Sequence, residues 1–201
     1  LTDSALTLAA AATSNGGART IGWTYDPAVA DLDFLREGQS LSLTYTIQVG
    51  DGMADSATQE LVITITGTND APVLSAIAAP VAVVEVADAS AQDIAALSGD
   101  LEINDKDVGD TLTAVIVGSP VVKLDGALFP LPAGAAALTD SALTLAAAAT
   151  SDGGARTIGW TYDPAVADLD FLREGESLTL TYIIQVGDGM ADSATQELVI
   201  T

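Results

Sequence analysis

The chain has no cysteine and no histidine among its 201 residues, and only six Lys and Arg against 28 Asp and Glu. Without cysteine no disulfide can staple the fold, so stability has to come from packing or from a bound metal. A cysteine-free chain suits the cytosol and large bacterial secreted proteins alike, so redox chemistry leaves the compartment open. Without His or Cys the usual bases and nucleophiles of enzymes are missing. No G-x-S-x-G elbow is present either, and the chain does not read as an enzyme. The formal charge of −22 argues against nucleic acid and anionic membrane as partners, since both select a basic face. Its natural counter-partner is a cation. Long apolar runs are also lacking. The most apolar stretch, Gly126 to Leu138, is short and interrupted by Pro130, Pro132 and Gly134, so no transmembrane helix is expected. No targeting segment is visible and Leu1 does not read as a native start, so the sequence is expected to be a soluble piece of something longer.

What the chain does have is duplication. Residues 138 to 201 repeat residues 1 to 64 at a constant offset of 137 positions, with four differences: Asn15 to Asp152, Gln39 to Glu176, Ser42 to Thr179 and Thr46 to Ile183. Residues 65 to 137 occur once. The window therefore spans the C-terminal half of one module, residues 1 to 70 with the linker, and nearly all of the next, residues 71 to 201. A chain made by copying one module is usually a spacer, scaffold or multivalent binder. A unit of 137 residues can bury its own core. The first segment, at about half that length, is expected to need strands from residues 65 to 137 or from another molecule, so a homo-oligomer formed by strand exchange is one expectation.

From Leu41 the chain alternates, with Leu41, Leu43, Tyr45, Ile47 and Val49 on one face and Ser42, Thr44, Thr46 and Gln48 on the other. A period of two is the signature of a half-buried strand. Gly50-Asp51-Gly52 turns the chain into a second strand carrying Leu61, Ile63 and Ile65, and the hairpin is copied at 178 to 201. Ile21, Trp23 and Tyr25 mark an earlier strand closed by Asp26-Pro27. Strands are further expected near 81 to 86, 93 to 103, 111 to 118 and 121 to 124. Ala9 to Ala12 are too few to hold a helix and read as a strand end and loop. The whole predicts an all-β fold of about seven short strands per module, an immunoglobulin or cadherin-like Greek-key β-sandwich in tandem. Tyr45 and Tyr182 sit where such sandwiches carry a tyrosine corner, and a plain core tyrosine fits equally.

The carboxylates are concentrated in turns. Such a sandwich brings three of them to one end: Thr68-Asn69-Asp70-Ala71-Pro72, Asn104-Asp105-Lys106-Asp107-Val108-Gly109-Asp110 and Gly187-Asp188-Gly189. Each Asp alone is an ordinary turn former. Together they supply the oxygens that Ca²⁺ takes, six to eight from carboxylates, carbonyls and amides. An EF-hand is excluded, because Asp110 stands where that loop needs Gly and Ile116 where it needs Glu.

The run Leu35-Arg36-Glu37-Gly38 leading into Leu43 to Gly52, followed by Ile65-Thr66-Gly67-Thr68-Asn69-Asp70-Ala71-Pro72, resembles the VCBS and cadherin-like repeats of giant bacterial RTX-type adhesins. The resemblance spans the module, and the Gly-Thr-Asn-Asp-Ala-Pro linker is its most specific element. It implies Ca²⁺ bound between neighbouring repeats. Carried over, Glu37 comes from the upstream half, Asn69 and Asp70 from the linker, and Asp105, Asp107 and Asp188 from the downstream module, with Asp110 of the same acidic loop as a further candidate ligand. Asp51 and Glu174 become the same ligands of neighbouring sites, and Glu85 lies at the far end of its module. Where cadherins place an Asp two residues before the Glu, this chain has Leu35, which implies fewer ions per junction. The resemblance further implies an extracellular, cell-surface extender for adhesion or biofilm formation, with the distal ligand bound outside this stretch. Two alternatives stand beside it. One is a filament or surface-layer subunit assembled by strand exchange. The other is a carbohydrate-binding module, with Trp23, Tyr25, Trp160 and Tyr162 stacking on sugar, although their strand positions favour core. The acid pair Asp168 and Asp170 reads as a solvated strand face.

Overall fold

A computed structural model describes residues 4–85 and 94–201. The chain divides into two compact units, Leu1–Thr68 and Asn69–Thr201, and among the described residues it is all-β, with antiparallel pairing and one short helix. Among the described residues no helix is long and apolar enough to cross a membrane.

The first unit holds two hairpin-like pairs. Strand β1 (Leu6–Leu8) pairs with β2 (Trp23–Tyr25), and β3 (Ser40–Ile47) pairs with β4 (Gln59–Thr66). Between them Pro27–Val29 make a 3-10 turn, with the Asp26 carboxylate accepting from Ala28 N at 3.0 Å. That pairing of a side-chain cap with proline in the first turn satisfies an otherwise orphaned donor. A side chain at Gly67 would collide with the Leu35 carbonyl, which fixes glycine there.

The second unit is built from two sheets. Its elements are β5 (Val73–Leu74), β6 (Leu97–Asn104), β7 (Thr111–Ile116), β8 (Val121–Leu124), β9 (Ala127–Leu128), α1 (Ala137–Asp140), β10 (Leu143–Leu145), β11 (Ala149–Thr150), β12 (Ala155–Tyr162), β13 (Leu178–Gly187) and β14 (Gln196–Ile200). One sheet runs β10-β12-β6-β5; the other runs β11-β7-β13-β8-β9, with β14 also on β13. Burial alternates residue by residue along β13, the period-two pattern of a strand with one face in a core. Leu101, Ile103, Ile158, Trp160 and Tyr162 from the first sheet join Leu112, Leu180, Tyr182, Ile184, Val186, Leu198 and Ile200 from the second in one sandwich-like core. The Tyr162 and Tyr182 hydroxyls both donate to the Leu138 carbonyl, and their rings meet edge to face at 6.1 Å. Ile183 lies on the outer side of β13, as its polar counterpart Thr46 requires.

Several expectations need correction. Helix α1 was not expected. It follows a 3-10 turn at Ala133–Ala135 and is fixed by tertiary packing of Leu138, which is buried, rather than by propensity alone. Residues 81–85 form no strand, although Val83 N donates to Thr201 O at 3.1 Å and the Val83 side chain packs against the core. Residue 86 and residue 93, the ends of two expected strands, lie outside the described residues. The strand expected at 93 begins at Leu97, and the one expected to reach 118 stops at Ile116, ahead of Gly118 with φ of +71°. Ile21 falls outside the three-residue β2, whereas its copy Ile158 lies inside the eight-residue β12. Identical sequence gives a longer strand where β6 is present to pair with it. Asp168 and Asp170 lie in a turn, not a strand, with Asp170 N donating to the Asp168 carboxylate at 2.9 Å.

Candidate metal centre

Three chain segments of the second unit meet at the Gly187 end of β13. The linker supplies Asn69 and Asp70, the loop between β6 and β7 supplies Asp105, Asp107 and Asp110, and the β13–β14 hairpin supplies Asp188. Each is held by local geometry. Asp105 accepts from Asp107 N at 3.0 Å, the two-residue Asx turn that short acidic side chains favour. Asp107 accepts from Asp70 N at 2.7 Å, which ties the linker to the loop. Asp188 accepts from Met190 N at 2.6 Å and Ala191 N at 2.7 Å through one oxygen, and from Asn69 Nδ2 at 3.0 Å through the other. Gly189, with φ of +95°, permits that hairpin turn.

The result is a packed nest of acid. Asp105 and Asp107 are 1% and 0% exposed, and carboxylate oxygens of Asp105, Asp110 and Asp188 all lie within 4.8 Å of one another. Asp105 Oδ2 and Asp107 Oδ1 are buried with no hydrogen-bond partner. Burying a charged oxygen without a partner is strongly unfavourable unless the charge is neutralised by a proton or a cation. Electrostatics agree with that tension. Desolvation, reinforced by the neighbouring carboxylates, pushes the Asp105 and Asp107 carboxyls above their ordinary value. Asp188 also feels desolvation, but hydrogen bonds from Ala191, Met190 and Asn69 outweigh it and hold its carboxyl below that value. The donors are hard oxygens without nitrogen or sulfur, the set that divalent alkaline-earth cations prefer. Such a cluster can hold a metal ion, with Asp105, Asp110 and Asp188 as its nearest ligands.

The remaining expected ligands divide between the far end of this unit and the first unit. Glu85 and Glu174 line one cavity at the Leu178 end of β13, roughly 30 Å from the acid nest at about 3.3 Å per strand residue. Glu37 and Asp51 belong to the first unit, at the positions that Glu174 and Asp188 hold in the second. Asp51 forms the same preset turn, accepting from Met53 N and Ala54 N at 2.8 Å each. These bonds lower its carboxyl pKa.

One residue of the site escaped sequence reasoning. Ser151 is buried, donates its hydroxyl to Asp105 O at 3.0 Å, accepts from Gly109 N at 2.8 Å and donates its own N–H to Asp110 O at 2.9 Å. It clamps the acidic loop from across the sheet. Its only signal was a place ahead of the Asp152-Gly153 turn, which reads as an ordinary loop. Trp160 and Tyr162, considered as sugar platforms, are buried in the core.

Compared with protein-family models, with curated proteins and with solved structures, the chain matches none.

Proposed function

We propose that this chain is a calcium-binding structural repeat, an extender of a secreted bacterial surface adhesin whose modules are cadherin-like Greek-key sandwiches. The observation that carries the reading is the pair of buried, unpartnered oxygens, Asp105 Oδ2 and Asp107 Oδ1, beside Asp110 and Asp188. An oxygen-only site of that charge suits Ca²⁺, whose larger radius and flexible coordination tolerate six to eight protein oxygens better than Mg²⁺ does. The linker residues Asn69 and Asp70 are bonded into the same nest, so filling it would stiffen the point where the module begins. A tandem array stiffened in this way is a rod that projects a distal binding domain. Extracellular modules of this kind bind calcium at about 10⁻⁴ to 10⁻³ M, so sites would fill outside the cell and empty in the cytosol.

Thermal unfolding of the chain in millimolar CaCl₂, against EGTA with magnesium at matched ionic strength, tests the reading. A ligand that binds only the folded state stabilises it by mass action, so calcium alone should raise the melting temperature by many degrees. Equal melting in calcium and magnesium sinks the calcium assignment.

A further inference from the structure

Asn15 stands before Gly16, and the same place in the second copy holds Asp152 before Gly153. The two loops match bond for bond. Asn15 Oδ1 accepts from Gly17 N at 3.1 Å, as Asp152 Oδ1 accepts from Gly154 N at 3.2 Å. Gly16 N and Gly153 N donate to the hydroxyls of Ser14 and Ser151, at 3.4 and 3.2 Å. The two glycines share a left-handed φ of +84° and +83°. Asn15 is exposed, and the position faces solvent inside the complete sandwich too, where the Asp152 side chain is 52% exposed. What differs is an amide in one loop and a carboxylate in the other, and the carboxylate pairs with Arg156 at 2.6 Å.

We infer that Asn15 is a site of spontaneous deamidation, which gives the first copy's loop the charge that the second carries. The Gly16 nitrogen attacks Asn15 Cγ, the new C–N bond closes a five-membered succinimide, and the side-chain nitrogen leaves as ammonia with the proton given up by the Gly16 N–H. Water then opens the ring at either carbonyl, leaving aspartate or isoaspartate at position 15. Water is the only co-reactant. Three features favour the step here. Gly16 has no side chain to obstruct the approach, and a Cβ there would meet nothing within 4 Å. Its N–H is held by a long bond to an exposed hydroxyl. The Gly17 N–H polarises the Asn15 carbonyl that is attacked.

The other two asparagines of the chain stand in different surroundings. Asp70 N, which would have to attack Asn69, donates to Asp107 at 2.7 Å, and the Asn69 amide donates to Asp188. Asn104 is paired at the end of β6 with Val73 and Ala155, and Asp105 after it is buried. The product also has a ready place. Aspartate at position 15 stands four residues before Arg19, as Asp152 does before Arg156, in an exposed pair worth little to stability.

The test is incubation of the intact chain in warm, mildly alkaline buffer beside a peptide of residues 12–20, followed by peptide mapping, ammonia release and labelling with an isoaspartyl methyltransferase. Asn15 should convert with first-order kinetics at a rate within about tenfold of the peptide's, a barrier difference below about 1.4 kcal/mol. Isoaspartate should appear at position 15, while Asn69 and Asn104 keep their amides. The Asn15→Gln chain, whose ring closure would be six-membered, should release almost no ammonia over the same period. Conversion of Asn15 slower than that tenfold limit overturns the inference. So does ammonia release that persists in the Asn15→Gln chain.

Discussion

Asn69 donates its side-chain N–H to Asp188 at 3.0 Å across 119 positions of sequence, joining the linker to the last hairpin of the module it introduces. A hydrogen bond to a carboxylate is worth about 1.5 to 3 kcal/mol when solvent access is restricted. Asn69→Ala should therefore lower the stability of the second unit by that order. It should also weaken calcium binding measured by titration calorimetry, since Asp188 loses an orienting partner. A variant that binds calcium like the parent would detach the linker from the site.

The two buried tyrosines set an alkaline limit. Burial raises both hydroxyls above the ordinary 10.0, Tyr182 to about 12 and Tyr162 further. The native state then keeps protons that the unfolded chain releases, so the stability they lend is complete below pH 10.0 and is lost as pH rises through about 12. Denaturant unfolding between neutral pH and about pH 11 should show stability falling in the upper part of that range. Tyr182→Phe should flatten the fall while removing about 1 kcal/mol at neutral pH through the lost bond to the Leu138 carbonyl.

Packing beside Trp160 leaves no room at Gly99. A Cβ there would sit 2.8 to 2.9 Å from the indole ring, tighter than real contacts allow, and the ring belongs to the core. Gly99→Ala should cost about 1 to 3 kcal/mol by overpacking and should shift Trp160 emission. An unperturbed melting curve would mean the β6–β12 pair yields more freely than its eight-residue register implies.

Some of this was legible in the sequence because its causes are local. Strands β3 and β13 announce themselves by strict alternation, and the acids of the nest stand in turns whose Asn, Asp and Gly fix where the chain reverses. What was not legible depends on partners distant in sequence. Helix α1 exists because Leu138 is drawn into the core and its carbonyl receives two tyrosine hydroxyls. Residues 155–162 form one long strand, paired along all eight residues with β6, while the same sequence at 18–25 yields three strand residues. The hold of Ser151 on the acidic loop spans 46 positions and leaves no local pattern.

The acid nest yields a prediction whose sign changes with conditions. Asp105 Oδ2 and Asp107 Oδ1 are buried without partners, so in a metal-free solution their charge opposes folding. Replacing either Asp with Asn keeps a polar side chain of similar shape and removes the charge. In EGTA, Asp105→Asn and Asp107→Asn should each raise the melting temperature by a few degrees, the relief of an unsatisfied buried group being worth about 1 to 3 kcal/mol. In millimolar calcium both should melt below the parent, because a ligand charge is gone and the mass-action gain shrinks with affinity. A loop that served only as a turn would respond in the same direction under both conditions. The crossing of the two melting orders therefore separates a cation site from an acidic turn without requiring the ion to be seen.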